Sequence, residues 1–172
     1  MIRRRTLTSL LLVGTMSTIL TMVAVLPANA TTFVRIKNFG NELCLQPAGD
    51  ATGTGVAIVQ EPCTTDPAQV WEAVSVDSNN DVYHFVNETS NLCLDARGGA
   101  VNGTPVQQWT CNSITNERWT AAPGTSSANA FNSDVSGSDS MCLDVPGQSM
   151  QQGLGEQIYG CNGTVAQAWY TN

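Results

Sequence analysis

The sequence predicts an all-β domain built from three copies of one unit, and three observations carry that prediction. Cysteines and tryptophans recur in a fixed register, apolar residues come in short alternating runs, and no window sustains a helical period. Cys44, Cys93 and Cys142 are spaced by 93 − 44 = 49 and 142 − 93 = 49 residues. A second cysteine follows each after 19, 18 and 19 positions, at Cys63, Cys111 and Cys161. Eight positions later comes a tryptophan, Trp71, Trp119 or Trp169, closing the phrases AQVW, NERW and AQAW. A register kept at so many landmarks across three copies is not a product of chance.

Residues 1–30 are set apart from this pattern. Arg3, Arg4 and Arg5 form a basic start, Leu7 to Leu26 is largely apolar, and Ala28-Asn29-Ala30 is an A-x-A cleavage signal. The expectation is a signal peptide removed before Thr31, giving a secreted chain with no membrane insertion after cleavage. A membrane-anchored reading stays open, because the apolar stretch is borderline in length for a span. The paired arginines also admit a twin-arginine route.

The remaining 142 residues, 31–172, suffice for one domain with a core. They read as three lobes at about 31–80, 81–128 and 129–172. All 14 acidic residues lie here against Arg35, Lys37, Arg97 and Arg118, a net charge of 4 − 14 = −10. Such an acidic surface repels phosphate backbones and anionic lipid, which argues against nucleic acid or a membrane surface as partner.

Six cysteines in an exported chain imply three disulfides, formally in any of fifteen connectivities. Equivalent units should carry equivalent bridges, so the expected pairs are Cys44–Cys63, Cys93–Cys111 and Cys142–Cys161. Each closes a loop of about twenty residues, worth roughly 3 kcal/mol. A metal site is not expected: there is one histidine, no C-x-x-C pair, and the spacing repeats instead of converging.

The strand signals are FVRIKN from Phe33 and VYHFVN from Val82, alternating and rich in β-branched and aromatic residues. His84 falls at the place of Arg35 and reads as an outward strand residue. The third copy, FNSDVSGSDS from Phe131, has little strand character. Ala121 to Ser140 has a linker's composition, but the 49-residue register runs through it, so it reads as a loop and a poor strand within the domain.

Three repeats of about 49 residues, each with C-L-D or C-L-Q and a Q-x-W or related phrase, resemble the ricin B-type lectins and family 13 carbohydrate-binding modules. The resemblance covers 31–172 and implies a β-trefoil, three lobes of four strands around a pseudo-threefold axis. Trp71, Trp119 and Trp169 should then be core anchors, with Leu45, Leu94 and Leu143 beside them. Gln69 and Gln167 should satisfy backbone groups where lobes meet. The second lobe departs, with Glu117 in that place, and a carboxylate cannot donate as an amide does.

The resemblance also implies sugar pockets. In the second lobe these are Asp95 after C-L, Gln107, the platform Trp109, Asn116 and, beside it, Glu117. In the third they are Asp144, Gln157, Tyr159 and Gln167, with Ala166 where Asn would stand. The first lobe has Gln46, Val59, Glu61 and Ala68 at these places and is expected to be blind. A pyranose face of C–H groups suits an aromatic ring, while its hydroxyls need carboxylates and amides. Asp95 and Asp144 have a competing role as turn caps. Three Asn-x-Ser/Thr sites occur, Asn87, Asn102 and Asn162, and Asn102 is expected near the second-lobe pocket.

An enzyme is not expected. The single His84 sits in a strand, every cysteine has a disulfide partner, and Asp95 and Asp144 lie in different lobes, unlike the paired carboxylates of a glycosidase. ARGGAVNG lacks the strand and helix context of a phosphate loop. The chain therefore reads as a lectin for galactose-type or xylan-type glycans, acting mainly through its second lobe and without a cofactor. The alternative is a trefoil that binds protein, as a protease inhibitor or toxin accessory subunit.

Overall fold

Phe33 to Asn38 forms the first strand, interrupted at Arg35 into β1 (Thr32–Val34) and β2 (Ile36–Asn38). The computed structural model describes residues 32–172 except Ser78, Asn80, Ala122, 124–126 and 137–139, so the expected signal peptide lies outside the described residues. The first lobe continues with β3 (Leu43–Pro47), β4 (Ile58–Pro62) and β5 (Trp71–Asp77). The second has β6 (Val82–Asn87), β7 (Cys93–Ala96), β8 (Thr104–Trp109) and β9 (Trp119–Thr120). The third has β10 (Asn132–Ser133), β11 (Met141–Asp144), β12 (Gln157–Gly160) and β13 (Trp169–Thr171). Helical structure among the described residues is confined to three-residue turns.

In each lobe the second and third strands pair as a hairpin: β3–β4, β7–β8 and β11–β12. The fourth strand of each lobe pairs with the first of the next: β5–β6, β9–β10 and β13–β2, the last closing the ring. This is the β-trefoil. The three expected disulfides are all formed and no free cysteine remains.

Trp71, Trp119 and Trp169 are at most 1% exposed. Each indole Nε1 donates to the carbonyl of the leucine that follows its lobe's first cysteine: Leu45 at 3.3 Å, Leu94 at 2.9 Å and Leu143 at 3.0 Å. One bond thus explains two landmarks of the repeat, because a buried indole N–H needs an acceptor and the hairpin supplies it.

The weak strand signal of the third copy has a structural counterpart. Trp169 pairs with Asn38, Trp71 with Asn87, and Trp119 with Ser133. The first two steps are 87 − 38 = 49 and 133 − 87 = 46, so the first strand of the third lobe is offset by three residues from the cysteine register. Asn38 and Asn87 each donate to carbonyls of the preceding turn and accept two backbone N–H groups beyond their own strand. Ser133 is too short to span both, and β10 is only two residues long.

The lobe junctions correct one expectation. Gln69 and Gln167 bond within their own lobes, to Thr64 N and Pro62 O and to Asn162 N and Gly160 O. The junction amides are Gln60 and Gln108, both fully buried. Gln60 Nε2 donates to Ser149 and Gln151 carbonyls, and Gln108 Nε2 to Ala51 and Gly53 carbonyls, in each case on the loop of another lobe. The third hairpin carries Ile158 at this register position, opposite Leu143.

Two residues before Gln60, Gln108 and Ile158 stand Ile58, Val106 and Glu156. They are linked by bonds from Glu156 N to Ile58 O and from Val106 N to Glu156 O. Ile58 and Val106 are apolar and buried, whereas Glu156 places a carboxyl there at 2% exposure, with neither oxygen partnered. Burial pushes that carboxyl well above the usual carboxylate range, and the charge of Asp144 adds to the effect.

Candidate functional site

The hairpins build the same constellation in the second and third lobes. Strand register places Asp95 opposite Gln107 and Asp144 opposite Gln157. Gln107 Nε2 donates to Asp95 Oδ1 at 2.7 Å, and Gln157 Nε2 to Asp144 Oδ1 at 2.6 Å. Two residues on, and hence on the same strand face, stand Trp109 and Tyr159. Their rings are 40% and 39% exposed, beside carboxylates that are nearly buried. A flat apolar platform next to a fixed acceptor matches one face and one edge of a sugar.

The first lobe has the same backbone and none of this chemistry. Gln46 lies opposite Val59, so no cross-strand polar pair forms. Both ends of the Gln46 amide are occupied, Oε1 by Gln69 and Nε2 by Asp50. Glu61 takes the platform position, where a β-carbon on Gly153 would lie 3.6 Å from its Oε1.

Glu117 and Gln167 have a different place from the pocket lining the sequence suggested. They are 0% and 3% exposed, held in the single helical turns Thr115–Glu117 and Val165–Gln167. Gln167 Oε1 accepts from Asn162 N, while its Nε2 donates to Gly160 O and to Asp144 Oδ2 at 3.1 Å. Glu117 accepts from Asn112 N and Ser113 N and carries no amide N–H of the kind that Gln167 gives Asp144. Asp144 is thus gripped from both sides and Asp95 from one. Asn116, half-buried in the same turn as Glu117, makes no side-chain hydrogen bond among the described residues.

Both aspartates are pushed above the ordinary carboxylate value, chiefly by burial. The amides of Gln157 and Gln167 counter this at Asp144. At Asp95 only Gln107 counters it, and the charge of Glu117 adds to the rise. Beneath the second site, the His84 ring and the Glu117 carboxylate place nitrogen and oxygen within 4.8 Å of each other. His84 is therefore not simply outward: its Nε2 is shielded from solvent and unpartnered. Burial holds the imidazole below its ordinary value, with Glu117 opposing the shift and Arg118 reinforcing it. Cys93, close to both, is bonded to Cys111, which leaves too few ligands for a metal site.

The third site opens as a cleft of about 290 Å³ bounded by Asp144, Gly147, Gln148, Gln157, Tyr159 and Thr164. Sequence reasoning missed its far wall, the turn Pro146–Gln148. The signal was present: Gly49, Gly98 and Gly147 keep the 49-residue spacing, and their φ values of 60°, 55° and 62° lie in the left-handed region. Only glycine enters that region without steric cost, so each lobe carries a glycine turn here, and in the third it lines the cleft. The glycosylation sites also sort themselves. Asn87 is buried and bonded, Asn102 accepts from Gly160 N in the third lobe, and Asn162 lines the third cleft.

The comparisons agree with this geometry. The family model for the ricin-type beta-trefoil lectin domain-like family matches residues 25–109 and 75–138. A designed threefold-symmetric protein, ThreeFoil, superposes with TM-score 0.74 at 20% identity, covering 81% of this chain and 96% of its own. The Macrolepiota procera ricin B-like lectin, solved with lactose, gives TM-score 0.68 at 16% identity over 84% and 96%. An exo-β-1,3-galactanase from Clostridium thermocellum gives 0.73 at 22% identity, covering 83% of this chain but 30% of the enzyme. These likenesses concern the fold. No curated protein is significantly similar in sequence. The match of the family model over more than half its length makes this chain a member of the ricin-type β-trefoil lectin domain-like family.

Proposed function

We propose that the protein is an exported, non-catalytic carbohydrate-binding module with sites in its second and third lobes and none in its first. The observation that carries this reading is the repeated trio of buried aspartate, cross-strand glutamine and half-exposed ring, Asp95–Gln107–Trp109 and Asp144–Gln157–Tyr159. Its dismantling in the first lobe supports the same reading, since the backbone there is equivalent. Galactose-type or xylan-type glycans fit the ring-plus-acceptor chemistry. Lactose on a ricin B-like lectin of the same fold favours the former as the first probe. Three disulfides without a free cysteine, together with the basic and apolar leader, support export.

Catalysis is disfavoured by the engagement of each aspartate with a glutamine amide in a separate hairpin. Shallow sites with a single platform each should bind one sugar weakly, with Kd on the order of 0.1–1 mM, and gain avidity from multivalent glycans. The test is a glycan array of the oxidised chain beside Trp109→Ala, Tyr159→Ala and the double variant. Related glycans should bind the parent and neither ring alone should account for all binding. A folded protein that ignores every glycan overturns the reading and turns attention to protein partners.

A further inference from the structure

The second site rests on the sugar-binding reading, yet it is built with a fault that the third lacks. In the third lobe a neutral amide, Gln167, ties the turn to Asp144. In the second, Glu117 occupies that position, fully buried, with its oxygens accepting from Asn112 N and Ser113 N. By the register of the repeat, Glu117 thus puts a carboxylate where Gln167 puts the amide that donates to Asp144. The cations nearby do not relieve it. Arg118 is directed to the Ser113 carbonyl at 3.2 Å and to Asp134 at 3.9 Å. His84, within 4.8 Å of Glu117, is held uncharged by burial near neutrality.

We propose that the second-lobe pocket is proton-gated: one solvent proton taken up by Asp95 and donated toward Glu117 restores the turn-to-aspartate bond that Gln167 gives Asp144, and so sets Asp95 for its ligand. Proton uptake removes the like-charge repulsion and supplies the missing donor in one step. The upward displacement of the Asp95 carboxyl, to which the charge of Glu117 contributes after burial, agrees with this direction. His84 is the positioning residue beneath them. Its ring nitrogen lies within 4.8 Å of a Glu117 oxygen and burial keeps it uncharged near neutrality, which leaves the proton to Asp95. The third lobe, with Gln167, has no such dependence.

The test uses lactose and the oxidised chain carrying Tyr159→Ala, which silences the third lobe. Lactose should bind about fivefold more tightly near pH 5 than near pH 7.5, the size of one recovered hydrogen bond. Adding Glu117→Gln should give the tighter affinity at both pH values. Equal affinity of the Tyr159→Ala protein at the two pH values overturns the proposal. Carboxyl ¹³C NMR without ligand supplies an independent readout. Asp95 should titrate above the ordinary carboxylate range, and Glu117→Gln should return it toward that range. A spectrum in which His84 alone titrates in this range overturns the proposal. If lactose binds neither variant while Asp95 shows that titration and its return in Glu117→Gln, the sugar reading fails and the Asp95–Glu117 bond stands.

Discussion

The second and third lobes place the same five-part frame in two electrostatic settings. Both have a buried aspartate, a cross-strand glutamine, an exposed ring, a glycine turn and a buried residue in the single helical turn. They differ in that last residue, Glu117 against Gln167, and the difference is one proton donor. The second lobe has the larger ring and Asn116. The third has the better-held aspartate and Ala166 in place of the amide. Platform and acceptor are therefore separate variables in this fold: one sits on the exposed strand face, and the other depends on a buried contact one layer down.

The largest expected effect breaks the equivalence of the lobes at its base. Trp119→Ala and Trp169→Ala each remove a buried ring and leave a leucine carbonyl unpaired. Each should cost about 3–5 kcal/mol in denaturant unfolding. Next comes Glu156, the one acid where the other hairpins carry Ile58 and Val106. Glu156→Leu should stabilise the chain by about 1–3 kcal/mol. Because the folded carboxyl lies well above its unfolded value, its favourable contribution is full below the unfolded value and fades as pH rises through the folded one. The gain from Glu156→Leu should thus widen with rising pH in thermal melts. No widening would mean that Glu156 finds a partner on charging.

A smaller change sharpens the comparison directly. Gln167→Glu gives the third lobe the arrangement of the second and removes the donor to Asp144. It should cost about 1–3 kcal/mol near neutrality and weaken third-lobe binding there. The smallest effect belongs to Trp109→Ala. With its ring 40% exposed, it should change stability by no more than about 0.5 kcal/mol while removing second-lobe binding.

Much of the fold was legible because its landmarks are single residues at fixed spacing. The cysteine pairs needed only counting, and the core place of the tryptophans needed the resemblance beside their spacing. The aspartate–glutamine–ring trio needed the resemblance as well, because nothing in linear spacing says that Asp95 faces Gln107; strand register does. What stayed hidden depends on register and depth. Gln60 and Gln108 lock lobes together, and Gln69 and Gln167 do not, because strand pairing turns one pair toward another lobe's loop and the other into its own. The offset of Ser133 was masked by a longer segment before Cys142, which restores the cysteine count. Glu156 gave no sign at all, since an acid beside a glycine looks like a turn until its neighbours are known.

The central claim is that two lobes bind sugar and the first does not. The most direct measurement is a residue-resolved ¹H–¹⁵N titration of the oxidised chain with lactose. The account predicts shifts clustered at the Trp109 indole, Gln107 and Asn116 and at Tyr159, Gln157 and Thr164, with Gln46, Val59 and Glu61 unmoved. Shifts centred on the first lobe, or none in either of the others with lactose and xylo-oligosaccharides alike, would contradict it.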